Sequence, residues 1–209
     1  TGAGIHVVDL GEATGGFSVN TGSGNDTITA GDGNDVISTG GGDDTINVIL
    51  GTNSVTGGAG IDDFSWTDAT TFGTTTVADF LQGTDDLSVI AVAGTGGGGE
   101  VEITAARESA ALTDNSVTLI SIDASTTSLD DTGTETVADF EDMTDVAAYL
   151  AEGFSVGGSD EAVIILNDGS NSYMYHFLEG DVAATLDADE LQLIGVVSGE
   201  ASLALTDLS

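Results

Sequence analysis

Residues 21–47 read TGSGNDTIT AGDGNDVIS TGGGDDTIN, three units of nine in which Gly, Gly, Asp and Ile return at the same places. Counting onward in nines adds VILGTNSVT (48–56) and GGAGIDDFS (57–65). The fourth place is always Gly: Gly24, Gly33, Gly42, Gly51 and Gly60. The sixth is Asp26, Asp35, Asp44, Asn53 and Asp62, and the eighth is Ile28, Ile37, Ile46, Val55 and Phe64. The second is Gly22, Gly31, Gly40 and Gly58, interrupted once by Ile49.

Each place has a physical job. Six turn-forming residues followed by three extended ones make half a coil, with the apolar eighth residue pointing inward. Stacked coils then build an internal ladder of Ile and Val. Gly at the second and fourth places permits positive φ and turns carbonyl oxygens toward a common point. Asp at the sixth adds a carboxylate to those carbonyls. Such hard oxygen donors suit Ca²⁺ at about 2.3–2.6 Å, and suit Mg²⁺ less, because Mg²⁺ demands a tight octahedron and keeps its waters. Successive half-coils lie on opposite sides of the roll, so each loop meets the one two units further on. That pairs Asp26 with Asp44, Asp44 with Asp62 and Asp35 with Asn53, and predicts about three calcium ions. The uncharged Asn53 makes the last site the weakest. Upstream, EATGGFSVN (12–20) keeps Gly15 and Val19 in phase but carries Phe17 at the Asp place, as a non-binding coil capping the roll would.

Composition agrees. The 209 residues carry 36 Asp and Glu against a single Lys or Arg, Arg107, for a net charge of −35. A compact state so charged repels itself unless cations neutralise it. No basic surface exists to meet phosphates, which excludes nucleic acid, and anionic membranes are disfavoured likewise. Forty per cent hydrophobic residues argue against disorder. Thirty-one Gly, no Pro and abundant Thr, Val and Ile point to an all-β chain with tight turns. With no Cys, neither disulfides nor thiolate metal sites are available. No apolar run of about 18 residues is present to span a membrane. The opening TGAGIHVVDL lacks an initiator Met and a basic leader, so the chain reads as the C-terminal part of a longer protein.

Beyond the repeats the character changes. Asp79, Phe80, Gly83, Asp85 and Leu87 form a closing run, with Phe64, Trp66, Phe72 and Phe80 as a hydrophobic cap. GTGGGGE (94–100) is a connector. VEIT (101–104) and SVTLISID (116–123) alternate as half-buried strands do. Arg107 beside Glu108 reads as a local ion pair. TVADF occurs twice, at 76–80 and 136–140, hinting at duplication. DMTDVAAYLAEG (142–153) predicts the one helix, with an Asp or Thr cap and Gly153 as its stop. EAVIILNDGSNSYMYHFLEG (161–180) is a hairpin around Asn-Asp-Gly-Ser, ELQLIGVVSG (190–199) the next strand, and LDADE (186–190) a solvated turn. The domains expected are a calcium-binding roll with capping coils over 1–65, a β-rich connector over 66–131 and a C-terminal β domain over 132–209.

No catalytic residues are predicted. His6 and His176 are the only histidines and have no zinc-like partner at helical spacing; no G-x-S-x-G elbow is present. Carboxylate pairs are too abundant to diagnose hydrolysis.

The nonapeptide pattern GGxGxDxUx resembles the calcium-binding β-helix repeat of RTX proteins. The order of closing run, AAYL helix, NDGSNSYMYHFLEGD hairpin, DELQLIGVV strand and LALTDLS terminus is similar to the C-terminal domain of RTX-type bacterial surface-layer proteins. That resemblance implies an extracellular, cell-surface, self-assembling structural module exported by type I secretion, with the secretion signal over roughly 140–209. Similar tails on adhesins and on secreted hydrolases leave those two readings open. Calcium-gated folding is the mechanism expected: where free Ca²⁺ is scarce, as in a cytosol, the acidic repeats repel and stay unfolded for export, and external Ca²⁺ folds them.

Overall fold

The computed structural model describes residues 2–66, 73–89, 100–103, 110–111, 116–123, 136–155, 161–178, 186–200, 203 and 207. The chain is mostly β and its first part is a parallel β-solenoid of about four turns. Strands β1 (Val7–Asp9), β2 (Ser18–Ser23), β3 (Thr27–Thr29), β4 (Val36–Gly41), β5 (Thr45–Val48), β6 (Asn53–Ala59), β7 (Asp63–Trp66), β8 (Thr75–Val77) and β9 (Asp86–Val89) alternate between two faces. The odd strands order as β1-β3-β5-β7-β9, and β8-β6-β4-β2 run side by side in the other sheet. All these pairings are parallel, and the registers are those of the repeat: Ile28 beside Ile46 beside Phe64, and Val19 beside Ile37 beside Val55.

The inward ladder of eighth-place residues is the core of the roll. Ile28, Ile37, Ile46, Val55 and Phe64 are buried, and the ladder goes on through Val77 and Leu87. The two faces are unequal. The odd strands hold three or four residues, as a nonapeptide predicts, whereas β2, β4 and β6 hold six or seven and run on into the next turn through Gly22, Gly40 and Gly58.

Two expectations at the ends need correction. The coil at 12–20 is not the terminal cap, because β1 pairs with β3 and Gly2 bridges Gly22, adding a coil below it. The closing run is more than a hydrophobic cap: although Phe64, Trp66 and Phe80 are buried, residues 73–89 form a further coil in register. Phe72 lies outside the described residues. The same compact unit takes in residues 195–200 and 206–209. There, Gly195–Val197 pairs parallel with Thr75–Val77, and Gly83 N–H donates to the buried Asp207 carboxylate at 2.8 Å.

A second compact unit covers residues 92–194 and 201–205. Its sheet carries β10 (Glu100–Ile103), β12 (Ser116–Asp123) and β14 (Glu161–Asn167) in parallel, and β15 (Asn171–Leu178) antiparallel to β14; β11 (Ala110–Ala111) pairs with β13 (Phe154–Ser155). The hairpin turns where expected. Asp168 accepts from Ser170 N–H at 2.8 Å, Asn171 N–H at 2.7 Å and Tyr173 O–H at 3.0 Å, and Gly169 has φ 81°. The predicted helix is α1, Met143–Gly153, capped by Asp142, which accepts from Thr144 N–H at 2.8 Å. Its Val146, Ala147, Tyr149 and Leu150 pack with Phe140, Ile164, Tyr175 and Phe177 in one core. The strand carrying His176 does not alternate, because Met174 through Phe177 are all buried. LDADE holds a short 3-10 turn, Ala188–Glu190, before β16 (Leu191–Ser198). The connector at 94–99 and the Arg107–Glu108 pair lie outside the described residues.

Candidate metal centre

The sixth residues fall into two vertical columns, one on each side of the roll. One column runs His6, Asp26, Asp44, Asp62, Asp85; the other runs Phe17, Asp35, Asn53. In both, the backbone N–H of one coil donates to the side-chain oxygen of the next. In the first column, His6 N–H meets Asp26 Oδ1 at 2.7 Å, Asp26 N–H meets Asp44 Oδ1 at 2.7 Å, Asp44 N–H meets Asp62 Oδ1 at 3.0 Å, and Asp62 N–H meets Asp85 Oδ1 at 3.1 Å. In the second, Phe17 N–H meets Asp35 Oδ1 at 2.8 Å and Asp35 N–H meets Asn53 Oδ1 at 2.9 Å. The three residue pairs predicted from the spacing are thus stacked. Asp85 and His6 are the members that counting in nines misses. Their signal was present: Gly83-x-Asp85-x-Leu87 and Gly4-x-His6-x-Val8 keep the Gly, Asp and apolar spacing, but fall 23 and 20 residues from their neighbours instead of 18.

The carboxylates are deeply buried, Asp26, Asp35, Asp44 and Asp62 each being 1% exposed. Burying charge without a partner is costly. The described residues supply one basic partner, His6, whose Nδ1 lies 3.0 Å from Asp26 Oδ1. Burial pushes the Asp26 pKa up, but the nearby Thr21 hydroxyl, whose own hydrogen bond goes to the Thr39 carbonyl at 3.1 Å, and the His6 N–H and imidazole outweigh it and hold the group below the ordinary carboxylate value. At the other end, burial and the negative charges of Asp85, Asp44 and Asp79 push Asp62 up to about 6. Asp85 is raised as well, by burial and by Asp79 and Asp86. Two carboxylate oxygens, Asp26 Oδ2 and Asp44 Oδ2, are buried without a hydrogen-bond partner.

The glycines set how closely the coils approach. A Cβ at Gly24, Gly42 or Gly60 would come within 3.0 Å of the coil before it, which real side chains essentially never do. On this side the expected positive φ is found, for example 117° at Gly24 and 119° at Gly42. Gly31 and Gly33, on the other side, were expected to share it and do not. They are required by closeness alone, since a Cβ on either would strike the carbonyls of Ala13 or Gly15.

Between successive coils, then, lie stacked carboxylates, unpartnered buried oxygens and backbone packed too tightly for side chains. The family model of the RTX calcium-binding nonapeptide repeat (4 copies) matches residues 18–47. No curated protein matches the chain. RTX repeats bind Ca²⁺, and they are structural rather than catalytic. The donors here fit that ion: hard, anionic oxygens with two lone positions still unused. No group of three Asp, Glu, His or Cys able to hold a metal occurs among the described residues, so backbone carbonyls would complete any shell. Among those residues, too, no helix is long and apolar enough to cross a membrane.

Proposed function

We propose that the chain is a calcium-gated folding and assembly module of a secreted, RTX-type surface-layer protein. The observation that carries the calcium part is the pair of buried, unpartnered oxygens, Asp26 Oδ2 and Asp44 Oδ2, in a chain of net charge −35. Calcium held between Asp26 and Asp44, and between Asp44 and Asp62, would supply the missing positive charge and give those oxygens a partner. The glycines Gly22, Gly24, Gly40, Gly42, Gly58 and Gly60 let the carbonyls approach. At tenfold excess over its dissociation constant each ion adds about 1.4 kcal/mol to folding. Two such ions give about 3 kcal/mol, a large fraction of the net stability of a domain. RTX repeat proteins are typically secreted to the exterior, where the ion is plentiful.

The surface-layer part rests on the order of the tail elements, and the type I secretion signal is assigned to roughly 140–209 on the same basis. Far-UV circular dichroism with calcium and with a chelator tests the gate: strand signal should grow on calcium addition, and an unchanged spectrum refutes it. Electron microscopy tests the assembly. Ordered sheets that form only in calcium support it, whereas dispersed monomers in both conditions refute it and favour the tail of an adhesin or of a secreted hydrolase.

A further inference from the structure

The two columns of sixth-place residues have the same letters and different chemistry. In the Asp26–Asp44–Asp62 column, Oδ1 takes the N–H of the coil before, while Oδ2 of Asp26 and of Asp44 is buried and takes nothing. In the Asp35–Asn53 column every side-chain atom is engaged. Asp35 Oδ1 accepts from Phe17 N–H at 2.8 Å, and its Oδ2 from Gly31 N–H at 3.2 Å within its own turn. Asn53 Oδ1 accepts from Asp35 N–H at 2.9 Å, while its Nδ2 donates to the Leu50 carbonyl at 2.8 Å and meets Thr75 Oγ1 at 3.2 Å. The backbones diverge in step. Gly22, Gly24, Gly40, Gly42, Gly58 and Gly60 all have positive φ on the first side, while on the second Gly31 and Gly33 do not and only Gly51 does, at 82°. Coil-to-coil bonding also differs: Gly24 N–H reaches the Gly41 carbonyl at 2.6 Å on the first side, whereas Asp32 N–H reaches the Ala13 carbonyl at 2.8 Å on the second.

We infer that calcium binds along one side of the roll only, between Asp26 and Asp44 and between Asp44 and Asp62, and that the Asp35–Asn53 side is a calcium-independent turn closed by its own hydrogen bonds. The inference rests on the calcium reading above and narrows it. Each Asp35 oxygen already receives an N–H, which takes one of its lone pairs and occupies the space an ion would enter, and Asn53 brings no charge and uses its amide as a donor toward a carbonyl. An Asp26-type oxygen gives up nothing on binding. Stacking the ions on one side also separates two roles: one column answers to calcium while the other holds the register of the coils without it.

Native mass spectrometry of the 209-residue chain in calcium counts the ions, and differences between variants remove any contribution from other parts of the chain. Asp26→Asn should lower the count by one, and Asp35→Asn should leave it unchanged. Loss of an ion in Asp35→Asn overturns the one-sided arrangement but leaves calcium binding standing. No bound ion in the unaltered chain overturns the calcium reading itself. Since Asp35→Asn turns an acceptor for Gly31 N–H into a donor and weakens that turn, a second measurement uses the unaltered chain. Anomalous difference density from crystals grown in calcium should peak beside Asp26, Asp44 and Asp62, and a peak between Asp35 and Asn53 overturns the inference.

Discussion

Gly42→Ala is the substitution by which the close stacking of coils is most sharply judged. Two costs coincide at this position. Gly42 has φ 119°, and a Cβ there would lie 2.6 Å from Gly24 C and O and 3.0 Å from Asn25 N. The earlier coil has little freedom to withdraw, because Gly24 N–H is bonded to the Gly41 carbonyl at 2.6 Å and Asp43 N–H to Asn25 Oδ1 at 3.1 Å. A positive φ costs an L-residue about 1–2 kcal/mol. Overlap in a packed interior costs about 1–3 kcal/mol more. The expected loss is therefore about 3 kcal/mol, roughly a hundredfold in the folding equilibrium. Two neighbours divide that loss into its parts. At Gly41 a Cβ would meet nothing nearer than the Ala59 carbonyl at 3.8 Å, so Gly41→Ala should stay within about 0.5 kcal/mol of the unaltered chain. At Gly83, φ is 72° with open space around it, so Gly83→Ala should show the backbone cost alone, about 1 kcal/mol. Trp66 is the sole Trp, lies in β7 and is buried, so its fluorescence reports the roll during urea unfolding at fixed calcium. If Gly42→Ala unfolds at the same urea concentration as Gly41→Ala, the coils are not in the contact described and the argument fails.

Two further outcomes follow from the electrostatics. In calcium-free solution the roll should become more stable as the pH falls from 7 toward 5. The Asp62 carboxyl sits at about 6 when folded and near 3.8 when unfolded, so the folded state takes up its proton first; a folded fraction, read from Trp66 fluorescence, that drops over this range contradicts the assignment. Asp168→Ala should destabilise the second unit by about 2 kcal/mol, because it removes the acceptor for Ser170 N–H, Asn171 N–H and Tyr173 O–H. Burial raises the Asp168 pKa, but those bonds outweigh it and hold it low. Its contribution is therefore full at neutral pH and lost as the pH falls below the ordinary carboxylate value, and near-UV circular dichroism of the tyrosines follows it.

The repeat made much of this architecture readable in advance. A fixed offset of 18 residues predicts which coil lies on which, and Ile28, Ile46 and Phe64 stack in that order. The limits of the roll were harder, because the count depends on a constant period. The longer step between Asp62 and Asp85 takes the last coil out of phase although its Gly83, Asp85 and Leu87 keep the local spacing. Asn53 marked the second side as the weaker one, but the backbone difference between the two sides was not legible. Gly31 and Gly40 occupy the same place in the pattern, and only the packing of each turn against its neighbours decides that Gly40 takes φ 103° while Gly31 does not. In the second unit, the helix and hairpin were announced by local signals, the Asp142 cap and the Asn-Asp-Gly-Ser turn. The burial of His176 was not, because a strand covered on both faces loses its alternation.

The column of N–H groups and carboxylates has a polarity. Each N–H is received by a residue later in the chain, from His6 up to Asp85, and Asp85 turns its own N–H back to the Leu81 carbonyl. Viewed as a growing object, the roll has a finished end and a receptive one. A coil laid down from the Asp85 end toward the N-terminus always meets an acceptor already in place. One laid down in the opposite sense must leave its N–H waiting for a carboxylate that has yet to arrive. The finished end is where Gly195–Val197 and Asp207 are joined to residues 75–83. The polarity belongs to the carboxylate ladder alone, because beside it Thr45 N–H and Asp63 N–H reach back to the Asp26 and Asp44 carbonyls and tie each pair of coils in both senses.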